Sequence, residues 1–148
     1  MTIRTVLRSA VPALTAPPST PARIASAICL AGSGFVHAQL YVHGYRAIPV
    51  IGPTFLLQGA GALAVGLLLL VAGPVVLRLG AVGLAAGALV GFVLSRTVGV
   101  FGFVERGFDP QPQALLSVLA EVAVLALLAW SPARHLVTRK RDVPAGGS

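Results

Sequence analysis

Four uninterrupted apolar runs, each close to twenty residues long, constrain this chain more than anything else in it. An α-helix needs roughly 20 apolar residues to cross about 30 Å of hydrocarbon, because only a helix satisfies its own backbone polar groups there. Residues 24–42 (IASAICLAGSGFVHAQLYV) form the first run and residues 51–72 (IGPTFLLQGAGALAVGLLLLVA) the second. Pro53 falls in the first turn of the second, where a missing N–H is harmless. Gly73-Pro74 breaks that helix. The third run covers 76–98, with a pattern able to extend to Phe103. The fourth covers 113–131, between the breakers of DPQP and Pro132.

Composition agrees with a lipid solvent. Of 148 residues, 56% are hydrophobic and 10% charged, against about 25% charged in an ordinary soluble domain. So few charges cannot cover a water-facing surface. The connections around GYRAIP and GPV are short and force antiparallel neighbours, and the link FGFVERGFDPQP is longer. The predicted fold is therefore all-α, an up-and-down four-helix transmembrane bundle. A mobile basic, Pro-rich tail (residues 1–23) precedes it, and a basic cytoplasmic tail (residues 132–148) follows. Pro12, Pro17, Pro18 and Pro21 interrupt any signal-peptide core, so the first helix is expected to act as an uncleaved anchor.

The formal charge of +7 sits mostly in the flanks, where it fixes orientation rather than binding nucleic acid. With the N-terminus inside, the cytoplasm collects Arg4, Arg8, Arg23, Arg78, Arg134, Arg139, Lys140 and Arg141, and the outside keeps Arg46, Arg96 and Arg106. Both termini are expected in the cytoplasm, with the chain multi-pass in the plasma membrane.

Small residues allow close helix approach in lipid. Ala27, Ala31, Gly34 and Ala38 stripe the first helix, and Gly83, Gly87 and Gly91 the third. Both stripes are expected at contacts within the bundle, a dimer interface being the alternative.

The informative residues are polar ones inside the spans, since an ionisable group in hydrocarbon is a candidate site by default. Residues four apart share a helix face. Ser33, His37 and Tyr41 form one polar stripe, Thr54 and Gln58 a second, and Gln113, Ser117 and Glu121 a third. Arg96 lies near the outer end of its helix. All fall between the bilayer centre and its outer face, whereas the inner half is aliphatic. The stripes should converge on the bundle axis as a polar chamber above a dry plug. The candidate cluster is His37, Tyr41, Gln58, Arg96, Ser117 and Glu121. In one reading Glu121 pairs with Arg96 or accepts from His37, fixing helix register. In the other, Glu121 and His37 hold a proton, an ion or a small ligand reached from outside.

The remaining features narrow the choice. Cys29 is a lone apolar-run cysteine, without a disulfide partner or thiolate metal site, and Ser26 three positions earlier argues against lipidation. His43 lies at the outer boundary and His135 in the basic tail. His37 and His43 are about 120° apart around one helix and about 9 Å apart along it, so they cannot ligate one iron. Haem would require His37 with another ligand, and no cofactor or metal is expected. No nucleophile–base spacing, GxGxxG or HExxH motif suggests an enzyme. In the loop VGVFGFVERGFDPQP, Phe101, Phe103 and Phe108 accompany Glu105, Arg106 and Asp109. That loop is expected to lie on the outer headgroups, or else to form a lid or a docking surface.

The stretches HAQLYVHGYRAIPVIGPTFLLQ, LSRTVGVFGFVERGF and ALLSVLAEVAVLALLA, over roughly residues 24–131, resemble uncharacterised small four-span integral membrane proteins of actinobacterial type. The resemblance implies architecture and a plasma-membrane location, and carries over no site residue. The functional expectation is an accessory or scaffold subunit with a buried polar network, partnered by the lipid bilayer and by other membrane subunits or itself. The alternative is a membrane protein handling a proton, ion or small ligand through Glu121 and His37. A haem-binding redox subunit is the weakest reading.

Overall fold

The computed structural model describes the backbone of residues 19–141 and the side chains of residues 19–129. The outer parts of both expected tails lie outside these residues. Four α-helices follow in order: α1 (Thr20–His43), α2 (Ile51–Val71), α3 (Val75–Thr97) and α4 (Gln113–Arg141), with a 3₁₀ turn at Tyr45–Ala47. Three of them, α1 to α3, are long and apolar enough to cross a membrane, and the described apolar part of α4 is shorter, Gln113–Ala129.

Two expected boundaries are corrected. The first helix starts at Thr20 rather than residue 24, because Pro21 sits in its opening turn. A proline there is pre-organised for helix and loses no bond. Arg23 consequently belongs to α1, not to the tail. Its guanidinium reaches the carbonyls of Leu69 at 2.6 Å and Leu70 at 2.9 Å. It thereby caps the C-terminal end of α2, where unpaired carbonyls and the helix dipole favour a cation. The fourth helix does not stop before Pro132 but continues to Arg141. An interior proline removes one hydrogen bond and bends a helix without necessarily ending it.

The third helix ends at Thr97 and does not extend to Phe103. The chain turns over instead: Val100 and Phe103 exchange backbone hydrogen bonds of 2.9 Å in both directions. Phe101 (φ 50°) and Gly102 (φ 81°) form the reversal, the left-handed pair that a tight hairpin requires.

Helices adjacent in sequence are neighbours in space, and α1 also meets α4, closing the ring. The tightest crossing is α1 with α2. A Cβ added at Gly34 would meet Gly59 O and Leu63 N at 2.9 Å, and one at Gly66 would meet Ala27 O at 3.0 Å. The α1 stripe predicted from spacing is thus a real close contact, against Gly59, Ala62 and Gly66. The α3 stripe is not: a Cβ at Gly83, Gly87 or Gly91 meets nothing within 4 Å. Helix α3 is the least buried of the three long helices. Its glycines leave room rather than fill it. At the opposite end, Ala27, Leu30, Ala62, Leu69, Ala81, Ala85 and Val124 form the dry core. Leucines and valines project outward all round, among them Leu57 and Val71, as a surface solvated by lipid demands.

Candidate functional site

Above the dry core lies a cavity of about 360 Å³. Its wall on α3 is Gly87, Ala88, Gly91 and Phe92, ending in Ser95 and Arg96. The absent side chains of Gly87 and Gly91 are what open the space. Opposite stand His37 on α1, Thr54, Phe55 and Gln58 on α2, and Ser117 and Glu121 on α4. Tyr45 and the loop residues Phe101, Phe103 and Glu105 complete the lining at the loop end. The loop thus borders the cavity, although its tip residue Phe101 remains largely exposed.

Glu121 is 1% exposed. The α4 and α1 stripes meet at its carboxyl: Oε1 accepts from Ser117 Oγ at 2.6 Å and from Ser33 Oγ at 2.8 Å. His37 is tied to the same serine, with Nδ1 2.9 Å from the Ser33 carbonyl. A carbonyl only accepts, so Nδ1 carries the hydrogen and Nε2 is left with a lone pair in the neutral ring. The His37 ring lies 5.2 Å from Phe55. On α2, Gln58 Nε2 donates to the Leu84 carbonyl at 3.1 Å, joining α2 to α3.

Two expected pairings are corrected. Glu121 bonds neither Arg96 nor His37; two serines take that place. Arg96 pairs instead with Glu105 at 2.8 Å, and Glu105 also accepts from the Tyr45 hydroxyl. The reason is reach. Arg96 lies in the last turn of α3 beside the loop, so its Nε and Nη2 bond the carbonyls of Gly107 at 2.9 Å and Asp109 at 2.6 Å. Its guanidinium also covers the Phe92 ring at 3.9 Å, a cation–π contact. Tyr41 is a third correction, since it neither lines the cavity nor joins these bonds. Gln113, expected in the α4 stripe, also stays out of the lining.

Residue spacing missed the aromatic lining. Tyr45 stacks on Phe55 at 4.7 Å and meets Phe103 edge-on at 5.6 Å. Burial, then the hydrogen bond and charge of Glu105, hold the Tyr45 phenol well above the ordinary tyrosine range. The recurrence of Tyr and Phe at the span ends was visible in the sequence but reads equally as an interfacial belt. Among the described residues no three His, Cys, Asp or Glu side chains gather as a metal set. No family model, curated protein or solved structure matches the chain.

Proposed function

We propose that this is a four-span plasma-membrane protein, both termini cytoplasmic, that binds a small organic ligand in the chamber from the extracytoplasmic side. One observation carries the reading: an apolar-walled cavity of about 360 Å³ with a buried carboxyl at its inner end. Pockets of roughly 300–1,000 Å³, mostly apolar with a few convergent polar groups, are the usual form of small-molecule sites. A network serving only as helix glue has no need of a void beside it, and the empty wall at Gly87 and Gly91 favours binding over scaffolding. The role assigned is binding, with no chemical transformation of the ligand.

The test fills the void. Because an added Cβ at Gly91 meets nothing within 4 Å, Gly91→Leu projects into the cavity without a backbone clash. The purified protein in uncharged detergent is titrated with 1-aminonaphthalene, an uncharged fluorophore at neutral pH. The wild type should show a saturable fluorescence rise above the micelle background, and Gly91→Leu should weaken it by about tenfold or more. Identical, non-saturating curves for both proteins would refute the binding role.

A further inference from the structure

Two hydrogen-bond acceptors on side chains lining the chamber take part in no bond within the protein. The chamber's hydroxyls direct their protons inward: Ser33 and Ser117 to Glu121, Ser95 to the Phe92 carbonyl and Tyr45 to Glu105. The His37 N–H goes to the Ser33 carbonyl. Every nitrogen of Arg96 is bonded within the loop end of the bundle. Glu121 Oε2 and His37 Nε2 are left as acceptors that take part in none of the hydrogen bonds described, beside the second N–H of Gln58, whose other N–H goes to the Leu84 carbonyl. The charge count points the same way. Arg96 is matched by Glu105, which leaves the carboxyl of Glu121 as the unmatched ionisable acid in the lining. A carboxylate at 1% exposure without a cation is costly in a membrane interior. Finally, Tyr45, Phe55 and Phe92 line the chamber, and although Tyr45 stacks on Phe55 and Arg96 covers one face of Phe92, an aromatic lining favours a cation over an anion.

Accepting the chamber as a ligand site, we infer that its ligand is a small organic cation bearing N–H donors, an alkyl- or arylammonium. The ammonium pairs with Glu121 and donates to the free acceptors, and the apolar body lies among the aromatic rings. A carboxylate ligand would face the Glu121 carboxyl and two free acceptors with no unpaired cation, and should bind weakest.

Three compounds of matched size, competing with 1-aminonaphthalene on the wild-type protein, test this: 2-phenylethylammonium, 2-phenylethanol and 3-phenylpropanoate. The cation should displace the fluorophore at a concentration about tenfold below the alcohol, with the carboxylate weakest. Glu121→Gln should abolish the preference for the cation while retaining fluorophore binding. The wild-type ranking decides even if that variant does not fold. An alcohol or carboxylate that equals or exceeds the cation overturns the cation assignment and leaves the chamber standing. Failure of the fluorophore itself to bind saturably overturns both.

Discussion

Tyr45 shows how a single side chain can hold the loop end of this molecule together. Its ring stacks on Phe55 and meets Phe103 edge-on, and its hydroxyl meets the carboxylate that neutralises Arg96. The bond to a charged acceptor is worth about 1.5–3 kcal/mol in general, and here it ties the turn after α1 to the loop after α3. Burial of the phenol, together with this bond, makes the fold alkali-sensitive. The folded protein keeps the phenol proton beyond the ordinary tyrosine range, whereas the unfolded chain releases it near pH 10. A folded-state pKa above the unfolded one gives stability that is complete below about pH 10 and lost as pH rises further. Unfolding temperatures followed from about pH 8 to about pH 11 should fall more steeply for wild type than for Tyr45→Phe. Parallel curves would mean that the Tyr45 proton does not contribute.

At the scale of elements, glycine has two opposite uses in neighbouring helices. On α1 and α2 it permits contact: Gly34 and Gly59 bring two backbones together so closely that a methyl group has nowhere to go. Gly34→Ala should therefore destabilise the protein by about 1–3 kcal/mol through overpacking, since the opposing atoms are backbone and cannot rotate away. On α3 glycine leaves space, and Gly83→Ala meets nothing within 4 Å. That change should be neutral or stabilising by up to about 1 kcal/mol, because alanine gives up less backbone freedom in a helix. Thermal unfolding of the two variants in the same detergent checks the contrast. Equal effects would show that the α1–α2 crossing is looser than drawn. Residue spacing gave both stripes the same status, since four-residue repeats of small residues look alike until the neighbouring helix is known.

For the whole molecule, the chamber's loops gather at one end and Arg23 caps α2 at the other. We propose from the distribution of Lys and Arg that the loop end faces outside. Single cysteines placed at Gly102 and at Ser148 in a Cys29→Ala background should report this. A membrane-impermeant thiol reagent added to intact cells should label the first and not the second. The reverse pattern would invert the topology and leave the chamber opening toward the cytoplasm.

Hydropathy alone determined the four helices, their order and the polar half of the bundle. Those properties depend on each segment's own free energy of transfer into lipid, a sum over neighbouring residues. Which polar groups meet was decided only in three dimensions. Ser33 reaches Glu121 across 88 positions of sequence and Tyr45 reaches Glu105 across 60. A helical face can be read from spacing, but the partner on another helix depends on rotation, depth and the close α1–α2 crossing. Arg96 therefore found its acid in the loop, Glu121 found two serines, and Tyr41 found no place in the site. The cavity is likewise a property of tertiary packing: it exists because α3, smooth along its glycines, does not close the space that three other helices and a folded loop enclose.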